Sequence, residues 1–154
     1  MIKYYLILAC LLAPQLAAGP WRPPDRLLHA VRYVESNHGL FTWGDNGRSL
    51  GEYQLSEAAW MDVTLWRKSR GLATFSYRHD VWDPTISRSY AADYLSLLHR
   101  ELKRRLNRPP NVLELYAAYN LGLSGFAQCE YQLGRVNPTT ARKCRQIRAL
   151  MAAK

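Results

Sequence analysis

Apolar residues recur along most of the chain at helical rather than alternating spacing. Leu27, Leu28, Val31 and Val34 follow Pro23-Pro24-Asp25 at intervals of one, three and three. This predicts a helix entered through the prolines, with Asp25 well placed in its first turn, ending near Asn37 to Gly39. Ser56 is a predicted N-cap for a second helix through Ala58, Trp60 and Val63. Asp83-Pro84 is the clearest start in the chain, a capping carboxylate followed by proline at the first helical position. Ile86, Tyr90, Tyr94, Leu98 and Leu102 then repeat every fourth residue, so that helix is long. Asn111 is expected to cap another helix through Tyr119, with Gly122 and Gly125 marking a loop. Thr139 or Thr140 is expected to start a last helix carrying Cys144, Ile147 and Leu150. Only Phe41 to Leu50, rich in turn formers around Asp45-Asn46-Gly47, suits a short hairpin. No repeat, linker or low-complexity tract interrupts this order, and the expected fold class is mainly α, one domain with one short β-hairpin.

The first residues follow a different logic. Lys3 precedes an apolar run from Tyr4 to Ala13, Pro14 breaks it, and Ala17, Ala18 and Gly19 are small. That is the layout of a secretory signal peptide. The expected division is residues 1–18 as signal and 19–154 as the folded domain, exported to the periplasm or secreted. A run of that length falls short of the roughly 20 apolar residues needed to cross a bilayer as a helix, so no stable membrane span is expected. Ile7-Leu8-Ala9-Cys10 also has the look of a lipobox, which would lipidate Cys10. The apolar run continues past it and the segment before it is short, which weighs against that reading. Loss of Cys10 with the signal leaves Cys129 and Cys144, an even pair in a chain bound for an oxidising compartment, and a disulfide between them is expected. The histidines show no metal-ligand spacing, and neither a metal nor another cofactor is expected.

Composition and charge narrow the partner. With 154 residues, 48% of them hydrophobic, the chain is long and apolar enough to bury one core, which excludes a disordered chain or a multidomain machine. The formal charge of +9 calls for an anionic partner: nucleic acid, an anionic membrane face or an acidic polymer. Export disfavours nucleic acid. The run from His99 to Arg108, with Lys103, Arg104, Arg105 and Arg108, reads as a solvated helix end whose charge suits the C-terminal dipole.

Three short motifs stand in order. Glu35-Ser36 closes the first helix, Gly51-Glu52-Tyr53-Gln54 places its glutamine 19 positions beyond Glu35, and Ala118-Tyr119-Asn120 places its asparagine 66 beyond Gln54. Each alone is weak. In this order they resemble the soluble lytic transglycosylase and goose-type lysozyme group, with its Glu-Ser, Gly-Leu-Met-Gln and Ala-Tyr-Asn patterns, over about residues 25–126. The resemblance implies a lysozyme-like α domain with a substrate cleft. The implied substrate is peptidoglycan, cut at the β-1,4 bond between N-acetylmuramic acid and N-acetylglucosamine, by a monomer with no cofactor. It further implies Glu35 as general acid/base, Ser36 supporting its environment, Gln54 contacting glycan or shaping the cleft floor, Tyr119 hydrogen-bonding or orienting the glutamate, and Asn120 binding the sugar's amide, with Ser36, Gln54, Tyr119 and Asn120 together as the substrate-binding set. Trp43-Gly44-Asp45-Asn46-Gly47 also resembles a goose-type segment in which an aspartate positions water.

The chemistry explains the residue types. Breaking a glycosidic bond takes a proton for the departing sugar oxygen while positive charge grows at the anomeric carbon, and a carboxylic acid supplies it. The same carboxylate, once ionised, can take the proton of the sugar's own 6-hydroxyl, which closes a 1,6-anhydro ring. Glu52-Tyr53 replaces the group's Leu-Met, so Glu52 joins Asp45 as a candidate second carboxylate. If either activated a water, hydrolysis would follow; the aspartate that often follows the glutamine in goose-type sequences is absent, which favours the transglycosylase. A wall-binding or assembly protein without turnover is the alternative from another class. A secretion or conjugation apparatus is a further expected partner. Of the five tryptophans, one or two are expected to serve as sugar-stacking platforms, the rest as core.

Overall fold

In the computed structural model, which describes residues 20–153, six helices surround a small antiparallel sheet of three two-residue strands. Helix α1 (Asp25–Ser36) enters through Pro24 and buries Leu27, Leu28, Ala30 and Val31. After a left-handed turn come strands β1 (Trp43–Gly44), β2 (Ser49–Leu50) and β3 (Leu55–Ser56). The hairpin turns at Asp45–Gly47, as the turn chemistry implies. The third strand is an addition to the expected hairpin, too short to show a periodicity of its own.

Ser56 caps α2 (Glu57–Lys68) by accepting from Ala59 N–H, and Asp83 caps α4 (Pro84–Leu106) by accepting from the amides of Thr85 and Ile86. Between them sits α3 (Tyr77–Asp80), a single turn that the sequence pattern did not reveal. Asn111 caps α5 (Val112–Gln128) in a reciprocal box with Glu114. Helix α6 (Pro138–Ala152) is capped by Asn137 with Pro138 at its first position, two residues ahead of the expected threonine start.

Two expectations are corrected in α5 and α6. Gly122 and Gly125 do not form a loop: the helix continues to Gln128 and kinks at Gly122, whose φ of 71° and ψ of 161° only glycine adopts readily. Cys129 and Cys144 are not joined, and both thiols are free. The reason is register. Thr140 bonds Asn120, and the Cys144 thiol faces the carbonyl of Leu113 at the start of α5, so the two helices run antiparallel. Cys129 closes the far end of α5, and the stretch before the kink alone spans about 15 Å, beyond the reach of a disulfide at about 7 Å between Cα atoms. The signal segment and Cys10 lie outside the described residues. Among the described residues no helix is long and apolar enough to cross a membrane.

The core runs through all the long helices, with Trp60 stacked on Tyr90 at 3.7 Å between ring centroids. Beside it Arg67 and Asp93 form a buried ion pair at 2.7 Å, extended to Arg22. The two faces of the sheet divide by strand alternation. Trp43, Leu50 and Leu55 are cross-strand partners on one face, and Leu55 is buried in the core. Gly44, Ser49 and Ser56 form the matching row on the other.

Candidate active site

Glu35 prolongs the apolar stripe of α1: Leu28 and Val31 precede it by seven and four residues, so its side chain turns inward with theirs. It is 4% exposed. A carboxylate placed there needs donors, and it has two from different helices. The Tyr116 hydroxyl of α5 donates to Oε1 at 2.5 Å, and the Lys143 ammonium of α6 donates to Oε2 at 2.6 Å. Burial, and then the Glu35 charge, push the Tyr116 phenol far above its ordinary value, so it stays a neutral donor. Tyr119, also buried, is raised for the same two reasons in the same order.

The other motif residues separate into those that meet Glu35 and those that do not. Glu35, Gln54, Tyr119 and Asn120 line one cleft of about 140 Å³ together with Gly44, Ser49 and Lys143. Gln54 is held by its own amide, which donates to the carbonyls of Gly51 at 2.8 Å and Phe41 at 3.3 Å. Its backbone is left-handed, with φ 48°, a costly conformation for a non-glycine residue that the tight turn from Gly51 imposes. Gly44 packs closely beside it: a Cβ there would stand 1.9 Å from Gln54 Oε1 and press on the amide that those two carbonyls hold. The Asn120 side-chain oxygen accepts from Thr140 at 2.7 Å, which leaves its amide nitrogen as the group available to the cleft.

Three expected roles change. Tyr119 lines the cleft, but its hydroxyl donates to the Tyr53 carbonyl at 2.6 Å; Tyr116, one turn earlier, makes the contact with Glu35. Ser36 is 1% exposed and faces no cleft: it donates to the Arg32 carbonyl and accepts from Gly39 N–H, fastening the left-handed turn after α1. Glu52 is paired with Arg32 at 2.7 Å and lines a different cavity with Asp25, His29 and Arg88. It stands away from Glu35. The backbone of Asp45 lies in the hairpin turn, and its side chain lies outside what the structure describes.

A second, larger groove has a volume of about 660 Å³. Gly44 and Ser49 belong to the first cavity and their cross-strand neighbour Ser56 to the second, while on the facing wall Asn120 is followed by Gly122 and Leu123. The row of small residues thus borders both cavities, and the kinked Gly122 lines the second. Tyr94, Leu97 and Leu98 line the larger groove with Trp66 at its side. Trp43 and Trp82, the exposed tryptophan pair, lie against each other on the opposite face of the sheet.

Sequence reasoning missed Tyr116 and Lys143. Tyr116 stands three residues before Tyr119, on the same helical face, and a helical projection of α5 would have brought both toward the glutamate. Lys143 had no local signal, since its position depends on the α1–α6 packing. Among the described residues no group of three His, Cys, Asp or Glu is placed to hold a metal ion. Comparison with protein families, curated proteins and solved structures finds no match to this chain.

Proposed function

We propose that this chain is a peptidoglycan-cleaving enzyme of lysozyme-like fold, a lytic transglycosylase acting in the periplasm or outside the cell, with Glu35 as the single acid and base. The observation that carries the reading is the enclosed Glu35 carboxyl at a helix end, gripped by a hydroxyl and an ammonium, beside a polar cleft shared with Gln54 and Asn120.

In this reading a glycan strand lies along the groove, with the scissile bond at Glu35. The protonated carboxyl gives its proton to the leaving sugar oxygen as the anomeric C–O bond breaks. The resulting carboxylate then takes the proton of the 6-hydroxyl as that oxygen bonds to the anomeric carbon. The Asn120 amide is placed to donate to an acetamido carbonyl, and Gln54 shapes the floor. The transglycosylase is favoured over the hydrolase because Glu35 is the only carboxylate among the described side chains lining this cleft, while Glu52 is committed to Arg32 elsewhere. Inverting hydrolysis needs a second carboxyl across the bond, at roughly 6.5–9.5 Å.

The test is incubation of the mature chain and its Glu35→Gln variant with purified peptidoglycan, followed by mass spectrometry of the released fragments. The expected products end in 1,6-anhydro sugars and disappear in the variant. Reducing-ended products would show a hydrolase, and no release by the wild type would remove the enzymatic reading in favour of a wall-binding role.

A further inference from the structure

The pairing of Glu35 with Lys143 poses a chemical problem for an acid. Both carboxyl oxygens accept hydrogen bonds, at 2.5 Å from Tyr116 and 2.6 Å from Lys143, which is the acceptor-only arrangement of an ionised group. A general acid must instead carry a proton when the glycosidic bond breaks. The groups that face Glu35 define where that proton can come from. From α5 these are the hydroxyls of Tyr116 and Tyr119, with the buried Cys144 thiol of α6 behind Tyr116. From α6 it is the ammonium of Lys143; the sheet contributes the neutral Gly44, Ser49 and Gln54. The phenols hold their protons tightly because burial disfavours their charged form. Lys143 remains.

Its placement suits the task. Thr140, three residues earlier on the same helix, bonds Asn120 and so ties α6 to the motif segment of α5. The Lys143 side chain is 19% exposed and borders the cleft, so its ammonium meets both Glu35 and the space where substrate would lie. Solvent reaches the pair mainly at its Lys143 end, and filling the cleft with glycan removes the solvent on that side. Loss of water favours the neutral amine and carboxylic acid over two desolvated charges.

Resting on the transglycosylase reading of this site, we propose that Lys143 is the proton source for Glu35, passing one N–H proton to Oε2 when glycan closes the cleft. The ammonium becomes an amine and the carboxylate an acid. Glu35 delivers that proton to the leaving oxygen as the C–O bond breaks, then takes the 6-hydroxyl proton as the anhydro ring forms. That proton returns to Lys143, and the pair is restored with no net change. Lys143 thus acts through Glu35 rather than on the substrate, and the working acid is the pair.

The test uses Lys143→Arg and Lys143→Met beside the wild type. Arginine keeps the charge and the contact but cannot release its proton near neutral pH. Lys143→Arg is expected to lower kcat about 100-fold with KM nearly unchanged. Lys143→Met removes the proton source altogether, and its kcat is expected to fall about as far, again with KM nearly unchanged. If Lys143→Arg retains wild-type kcat, the residue is only a charge clamp and the proposal falls; a wild-type kcat in Lys143→Met overturns it equally. A measurement independent of turnover is infrared difference spectroscopy on adding an N-acetylglucosamine oligomer. A carboxylic acid carbonyl band is expected in the wild type and absent in Glu35→Gln and Lys143→Arg, and its absence from an oligomer-bound wild type would overturn the transfer. A wild type that neither binds nor cleaves glycan overturns the reading of the site itself, and the inference with it. Circular dichroism of each variant separates a lost proton source from a lost fold.

Discussion

Tyr116 and Tyr119 are stacked neighbours on α5, with ring planes 16° apart, yet they have different jobs. Tyr116 donates to Glu35 and Tyr119 to the Tyr53 carbonyl. Phenylalanine at each position therefore separates site from scaffold. Tyr116→Phe removes a charge-assisted bond from a buried carboxylate and is expected to lower stability by about 2 kcal/mol. It also frees Glu35 to rotate, which should cut kcat about 10- to 100-fold through misplacement. Tyr119→Phe leaves a backbone carbonyl short of one donor, a stability cost of about 1 kcal/mol, with kcat within a few-fold of wild type. Urea titration and turnover on peptidoglycan check both arms, and equal kinetic losses would contradict the assignment. The same contrast shows how far this residue-level geometry could be read in advance. Glu35, Gln54 and Asn120 were legible because their motifs are local strings; the choice between two tyrosines three residues apart was not, because it depends on how α5 is rotated against α1.

Among the elements, α5 is the most informative, since its start, its kink and its partners each have a separate cause. Its start is an electrostatic device. Glu114 accepts from Asn111 N–H and from both terminal nitrogens of Arg108, at 2.6 and 2.9 Å for the latter. The Arg108 hydrogen bond, reinforced by the Asn111 amide against the opposing effect of burial, holds the Glu114 carboxyl below its ordinary value of 4.5. A group depressed in the folded state stabilises fully above its unfolded value and loses that contribution as pH falls through the folded one. The cap should therefore weaken as pH falls below 4.5 and be insensitive to pH near neutrality. Glu114→Gln keeps a side chain able to close the capping box but has no charge to lose. Its urea midpoint should decline less than that of the wild type between about pH 6 and pH 3, and parallel declines would remove Glu114 from the acid response. The cap was readable from Asn111 itself. The kink was misread as a loop because Gly122 and Gly125 look like breakers in sequence, whereas packing of Phe126 in the core holds the helix on course beyond them.

For the molecule as a whole, the antiparallel packing of α5 and α6 settles two things together. With α1 packed against α6 as well, it brings Lys143 to Glu35, and it keeps Cys144 away from Cys129. The long helices, the caps of α2, α4 and α5 and the hairpin could be read from spacing and cap chemistry, because those signals act within one turn. Packing between distant segments left no such trace, so Lys143 went unnoticed and the cysteines, an even pair by count, were paired by compartment alone. The thiols provide a direct check on that packing. Burial raises the Cys144 thiol, more than the nearby Arg148 charge lowers it, so it should react slowly in the folded chain. Cys129, half-buried at the end of α5, should be alkylated first. Under native conditions without reductant, iodoacetamide is expected to modify Cys129 in preference to Cys144, and both should become modified after unfolding in urea. Mass spectrometry of the peptides gives the order directly. A Cys129–Cys144 linked peptide that survives until reductant is added would require α6 to slide along α5 by several turns. That slide would also withdraw Lys143 from Glu35, so the thiol experiment tests the register on which the site depends.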